Sequence, residues 1–205
     1  MDTRSAGSHY GGFELPTLGV NVVILQDEKI LVTKREDIEV WCLPGGGVDP
    51  GESLAQAAVR EAREETGLEV ELERLVGIYS RPRWREGGDH DIVFTGFPVG
   101  GHLKPQPEEV IEIAWVSPQN LPEPFFWWDR QRIADAINGT GGVAWLQDGV
   151  WPLAQKSTPK DLYKMRDESA LPRQEIYLKY LAEPGPLGER LEVGTKGKES
   201  NDEQR

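Results

Sequence analysis

Apolar and polar positions alternate along this chain in blocks whose period changes from two to about four and back. Leu18–Leu25 (LGVNVVIL) and Lys29–Lys34 (KILVTK) are β-branched runs, and the polar Gln26-Asp27-Glu28 between them predicts a β-hairpin. Val40–Leu43 is a third short run, broken by Pro44 and Gly45-Gly46-Gly47. From Ser53 to Thr66 the period becomes helical. Ser53 and Gln56 form a capping box at its start, and Gly67 stands where a left-handed residue ends a helix. Two stripes share this helix: Ala55, Val59, Ala62 and Thr66, expected to pack on something apolar, and Leu54, Ala57, Ala58, Glu61 and Glu65, whose acidic end should face water or a cation. Glu69–Tyr79, Asp91–Phe97 and Val110–Val116 read as strands, the first two separated by the loop SRPRWREGGDH. A helix is expected over Trp128–Ile137, ending at Asn138-Gly139. Val143–Leu153 reads as a hairpin around Gln147-Asp148-Gly149, and Lys160–Arg166 and Arg173–Leu181 as short helices.

Strands of mixed order with helices between them indicate an α/β (α+β) class sandwich with a mixed sheet rather than a doubly wound parallel sheet. Four segments are expected: a polar lead-in over 1–15 with order starting near Phe13, a domain over 16–140, an extension packed on it over 141–182, and a polar, Pro/Gly-rich tail without order over 183–205. Among 205 residues, 35 Asp and Glu outweigh 23 Lys and Arg, a net charge of −12. That balance argues against nucleic acid as a partner, which requires a basic face, and against a polybasic membrane anchor. A lone cysteine, Cys42, excludes an intrachain disulfide and a Cys-rich zinc site, and it reads as a packing residue. No apolar run approaches the roughly 20 residues that span a bilayer, and Met1–Gly12 lacks the apolar core of a secretory signal. A cytoplasmic protein is the expectation.

The chemistry is concentrated in one helix. Glu61, Glu64 and Glu65 stand at i, i+3 and i+4, so their carboxylates converge, and two of them lie in the last turn, where the helix dipole is negative. A solvated acidic face is the ordinary reading of such a run. The adjacent Gly45–Gly47 turn, which permits close backbone approach to a ligand, and a further carboxylate, Glu52, at the helix entrance favour a cation site instead. Hard oxygen ligands in this number suit Mg²⁺, with Mn²⁺ as a substitute, over zinc. Arg60, four residues before Glu64, can buttress a carboxylate.

Gly46, Glu52 and Arg60–Leu68 (REAREETGL) together resemble the Nudix box of the Nudix hydrolase family, G-x5-E-x7-R-E-U-x-E-E-x-G-U, where U is bulky and aliphatic. Every fixed Gly, Glu and Arg is present, and Ala62 in the first aliphatic slot is the one departure. The resemblance extends over about residues 17 to 137. It implies a Nudix-type α/β/α sandwich and hydrolysis of a pyrophosphate bond in a nucleoside diphosphate linked to another moiety: a nucleotide sugar such as ADP-ribose, a dinucleotide, or a nucleoside triphosphate. It further implies that Glu61, Glu64 and Glu65 hold divalent cations while Glu52 and Arg60 orient them. The family varies in which acid is the general base, and that role stays open. A carboxylate from outside the box often completes such sites; Glu109 occupies the family's usual place for it, with Glu108 and Glu112 as rivals. A nucleotide-binding or regulatory module on the same fold, without turnover, is the alternative.

For the substrate, Gly46 and Gly47 are candidate backbone contacts. Arg81 and Arg83, in a loop with Arg85 and no acid among residues 81 to 85, are candidate phosphate contacts, against the ordinary reading of solvated arginines. Trp127, within Phe125–Trp128, is a candidate for stacking on a base; a hydrophobic clamp seating the following helix is the favoured reading of that stretch. The extension carries Trp145, Trp151, Tyr163, Tyr177 and Tyr180, enough to form a lid, a homodimer surface or an enlarged core.

Overall fold

The computed structural model describes residues 9–10, 13–154 and 157–194. The expectations for residues 1–8 and 195–205 lie outside the described residues. Two short strands, β1 (His9–Tyr10) and β2 (Phe13–Glu14), form a small antiparallel ladder within the stretch read as a lead-in. The hairpin follows as β3 (Thr17–Gln26) and β4 (Lys29–Arg35). Its two-residue turn places Asp27 and Glu28 at φ 50° and 60°, the doubly left-handed turn whose twist matches a hairpin. Then come β5 (Trp41–Cys42), β6 (Gly45–Gly47) and α1 (Leu54–Thr66). The long pair β7 (Leu68–Arg81) and β8 (Asp89–Gly101) overruns the expected strands at both ends. β9 (Val110–Val116) and α2 (Trp127–Ile137) complete the part that holds the site.

β3 is the hub of the sheet. It runs parallel to β8 over Thr17–Ile24, antiparallel to β6 at residues 19–21, and pairs with β4 at Leu25 and Gln26. β4 in turn pairs antiparallel with β5 and β9. Alternation along β3 assigns the layers. Val20, Val22 and Ile24 face α1, where they meet Ala57, Ala58 and Ala62. Val23 faces α2, beside Ile133 and Ala136. Each such side chain contributes roughly 1.5–3 kcal/mol on burial, so the two helices are held on opposite faces by the period of the strand itself. This is an α/β/α sandwich with a mixed sheet, the expected class.

α1 rotates differently from the expectation. Ala55 and Val59 lie on its exposed side, whereas Ala57, Ala58, Glu61, Ala62, Glu65 and Thr66 are buried. Small alanines let the helix approach the sheet closely, and that approach carries the two acids inward. The caps form as expected: Ser53 Oγ accepts from Gln56 N–H, Gln56 returns a bond to Ser53 N–H, and Gly67 at φ 76° donates to Arg63.

The C-terminal part departs most from the sequence reading. β10 (Val143–Gln147) does not turn back on itself as a hairpin. It runs parallel to β7, and its outer neighbour is β11 (Glu189–Val193), a strand within the stretch expected to lack order. Between them, α3 (Pro159–Glu168) and α4 (Arg173–Tyr180) lie over an aromatic core of Trp84, Phe126, Trp128, Trp151 and Tyr177, with Leu162, Ile176 and Leu181.

Helix α3 also touches the connection between β4 and β5. Tyr163 donates its hydroxyl to Asp37 at 2.8 Å, and Arg35 forks onto the same carboxylate at 2.9 and 2.5 Å. Burial pushes Asp37 up, but Arg35's charge and hydrogen bonds, with the Tyr163 hydroxyl, pull it further down, to about 2. Because the folded value lies below the ordinary 3.8, the stabilisation, roughly 2 kcal/mol, is complete above about pH 4 and is lost as pH falls towards 2. Melting temperatures of the parent should therefore fall more steeply over that interval than those of Asp37→Asn; parallel acid limbs would refute the assignment.

Candidate active site

The site forms where α1, β6 and the start of β9 meet. Glu61 and Glu65, one turn apart, are 3% and 7% exposed and point off the helix towards the β6 backbone. Glu109 arrives from the residue before β9, and one carboxylate oxygen from each of the three lies within 4.8 Å of the others. Glu64 does not join them: its side chain is 43% exposed on the outer side of the helix. Of the rivals to Glu109, Glu108 and Glu112 are both exposed.

Three buried or half-buried carboxylates at this spacing repel one another. Burial first, and then the charges of Glu61 and Glu109, raise Glu65 to about 8, against the lowering effects of the Gly45 N–H, which donates to Glu65 at 3.0 Å, and of the Arg35 charge. A donor set of hard carboxylate oxygens converging on one point suits a divalent cation such as Mg²⁺ or Mn²⁺. The backbone beside it leaves no room for a side chain. A Cβ on Gly46 would stand 2.6 Å from the Glu61 carboxyl carbon. Gly46→Ala should thus displace Glu61 and lower kcat/KM by about 100-fold, the scale of a 1 Å error in a catalytic group, with the fold retained. Steady-state kinetics beside a circular-dichroism melt checks this, and unchanged kinetics would sink it.

Arg60 ties the helix to the loop before it. Its guanidinium donates to both oxygens of Glu52 (2.6 and 3.0 Å), to Glu61 (2.8 Å), to Glu64 (3.3 Å) and to the Gly47 carbonyl (3.0 Å). The hydrogen bond from Arg60 holds Glu52 below the usual carboxylate range, and Glu52 also accepts from Asp49 N–H. Arg60 and Glu52 therefore sit beside the acids as a brace. Gly46 and Gly47 line the site as part of β6.

The other sequence candidates lie elsewhere. Arg81 is buried, ion-paired to Asp89 (2.6 Å) and Asp91 (2.8 Å), with its guanidinium over the rings of Trp84 and Trp128. Arg83 forks onto the buried Asp148. Both positive charges are already balanced: Arg81 inside the fold by Asp89 and Asp91, eight and ten residues on, and Arg83, 45% exposed, by Asp148 at the end of β10, 65 residues on. Trp127 is half-buried, and its indole N–H donates to the Leu181 carbonyl at 3.0 Å, which places it in the clamp that seats α2 and α4 rather than in an open base-stacking position. Cys42 is buried in the aromatic core, and burial pushes its thiol up.

Behind the acids lies a charged cluster that the sequence reading did not single out. Arg132 on α2, 1% exposed, contacts Asp91 (2.7 Å), Asn21 (2.7 Å), Gln147 (3.0 Å) and Asp129 (3.2 Å). Asp129 accepts the Leu43 N–H at 3.0 Å, anchoring the strand that leads into Pro44 and the glycines. A signal was available: Trp128, Arg132 and Ala136 are spaced by four, so Arg132 falls on the face that packs.

Fold and site together define a sandwich whose first helix, entered through a glycine turn, presents acids to a common point. The family model described as the NUDIX domain matches residues 15–136. The chain belongs to the NUDIX family, whose members are enzymes acting on pyrophosphate bonds and generally use divalent metals. It is 40% identical over 128 residues to the Bacillus subtilis protein named "Putative 8-oxo-dGTP diphosphatase", a match covering 62% of this chain and 84% of that one. It is 38% identical over 122 residues to an ADP-ribose pyrophosphatase of Methanocaldococcus jannaschii, covering 58% and 70%. Among solved structures, an ADP-ribose pyrophosphatase from Streptococcus suis superposes with a TM-score of 0.53 at 28% identity, covering 60% of this chain and 91% of that one. No helix among the described residues is long and apolar enough to cross a membrane.

Proposed function

We propose that this enzyme hydrolyses a pyrophosphate bond in a small nucleotide-type substrate, using Mg²⁺, or Mn²⁺ in its place, held by Glu61, Glu65 and Glu109. The convergence of those three carboxylates carries the reading. The names of its relatives, an ADP-ribose pyrophosphatase and an 8-oxo-dGTP diphosphatase, support nucleotide chemistry. When bound, the cation would offset the charge of the diphosphate and activate a water for attack on phosphorus. The chain supplies the rest. Glu65 is fixed by the Gly45 N–H, Glu61 by Arg60, and Arg60 by Glu52, so both helix carboxylates are oriented before the substrate arrives. Gly46 keeps the floor open. Glu64, exposed and paired with Arg60 at 3.3 Å, would serve a further cation rather than this one.

Release of phosphate or nucleotide from a panel containing ADP-ribose, dinucleoside polyphosphates and 8-oxo-dGTP, with Mg²⁺ and with EDTA, tests the proposal. Hydrolysis of at least one that is abolished by EDTA is the expected result. Tight nucleotide binding by calorimetry without turnover of any panel member would overturn it in favour of a binding module.

A further inference from the structure

The third carboxylate sits at a weak point of the fold. Glu109 precedes the first residue of β9, and the ladder between β4 and β9 ends at the pair Arg35 and Val110, just after an irregular step at Lys34/Arg35. Ladder ends fray, opening at low free-energy cost, unless something holds them. Here Glu109 and Val110 donate their N–H groups to the Gln106 carbonyl (3.0 and 2.7 Å), closing a local turn, and the bond that ties Glu109 across to the β4 side is Glu36 N–H to the Glu109 carbonyl, at 2.8 Å. Glu36 itself belongs to the turn connecting β4 to β5, closed by Arg35 N–H to Val40 and Glu39 N–H to Arg35, with Glu39 at φ 54°.

That turn is gripped from the far end of the chain. Arg173, the first residue of α4, donates through one nitrogen to the Glu36 carbonyl at 2.7 Å and to the Glu36 carboxylate. Arg166 on α3 donates to the Asp37 carbonyl at 2.6 Å, and Tyr163 donates to the Asp37 carboxylate at 2.8 Å. These residues lie 126 to 137 positions downstream of the turn they hold. The helices are in turn seated by Ile176, Tyr177 and Leu162 on the aromatic core. A continuous chain of contacts therefore runs from the aromatic core through α3 and α4 to the turn, and from the turn to Glu109.

We infer that the C-terminal helices are part of the catalytic apparatus: Arg173, with Tyr163 in support, is a positioning residue that fixes Glu109 for the cation through Glu36. The inference rests on the assignment of Glu61, Glu65 and Glu109 as cation ligands. Partners that orient a ligand typically carry about 10- to 100-fold in metal affinity, so Arg173→Ala should weaken Mn²⁺ binding by about tenfold. Tyr163→Phe, which removes one hydroxyl, should weaken it by about threefold, in keeping with the loss of one modest hydrogen bond. Because Arg173 acts through a single nitrogen, Arg173→Lys should recover most of the affinity.

The experiment is a titration of the 205-residue chain and of each variant with Mn²⁺ alone, followed by electron paramagnetic resonance, with the melting temperature of the same samples as the fold control. Weakened Mn²⁺ binding in folded Arg173→Ala, recovered in Arg173→Lys, is the expected result. Folded variants that bind Mn²⁺ as the parent does, even with lowered melting temperatures, would show a structural role and overturn the inference. Should Arg173→Ala fail to fold, Tyr163→Phe decides: parental Mn²⁺ affinity in that variant overturns the inference. A parent protein that binds no Mn²⁺ would instead overturn the cation site itself, so the two failures are distinct.

Discussion

Replacing Glu65 by Gln is expected to lower kcat by about 1000-fold, the factor that corresponds to several kcal/mol of lost transition-state charge stabilisation. The amide keeps the shape of the side chain and an oxygen that still accepts the Gly45 N–H, so position is preserved and charge is removed. The metal-free protein should respond in the opposite sense. Burial and the neighbouring acids raise Glu65 from its ordinary 4.5 to about 8. For an acid raised on folding, ionisation works against the folded state, and the penalty grows as pH climbs from about 4.5 to about 8. Glu65→Gln removes that penalty, so in EDTA the variant should melt higher than the parent at pH 7 and together with it near pH 4. Mn²⁺ should raise the melting temperature of the parent and leave that of the variant nearly unchanged. Undiminished turnover would refute the ligand assignment; a variant that melts well below the parent in EDTA would show that the carboxylate serves the fold instead.

The largest loss of stability is expected at Arg132→Met. The volume is kept, but Asp129 loses the arginine it pairs with and Asp91 loses one of its two, keeping Arg81. Burial works to raise Asp91, yet Arg132 and Arg81 hold it below the usual range; Asp129, with less compensation, is held above it. Removing one member of such a buried set costs about 3–5 kcal/mol because the partner charge is left behind. Urea denaturation should report a loss of that size, and the double variant Arg132→Met/Asp91→Asn should recover part of it, since the two effects share one interaction. A single variant within about 1 kcal/mol of the parent, the range of ordinary surface changes, would contradict this account. Because Asp129 holds Leu43 N–H, any folded Arg132→Met protein should also show a disturbed approach to Gly45–Gly47, read as a rise in KM.

How far the candidate site was legible follows from how local each feature is. Ser53, Gln56 and Gly67 act within a turn or two of themselves, so the ends of α1 could be read directly. The convergence of acids at i, i+3 and i+4 is likewise a property of the helix alone. Which of them turn inward is not. The sheet packs against Ala57, Ala58 and Ala62, and that choice of face buries Glu61 and Glu65 while leaving Glu64, Ala55 and Val59 outside. Periodicity offered two stripes and no means of ranking them, because alanines mark a close approach more weakly than large side chains do.

A run of like charge in the sequence does not show how it is balanced in space. Arg81 and Arg83 formed a basic loop in the sequence, but Asp89 and Asp91 on the neighbouring strand, and Asp148 after β10, neutralise them in space. Glu189–Val193 lacks the marks of a core strand, and all five residues are exposed; it is ordered by the free edge of β10, a partner about 40 residues away.

By itself, then, the sequence determined the class of fold, the capped acidic helix and its glycine turn, since these depend on backbone preferences and neighbours within a few residues. Tertiary structure alone decided which acid joins Glu61 and Glu65, because Glu109 is selected over Glu108 and Glu112 by the register of β9 on β4. It also decided that α3 and α4 lie against the turn holding that acid. Contacts across more than a hundred residues leave no trace in local pattern, since they arise only when a sheet edge and an aromatic core bring the two ends of the chain together.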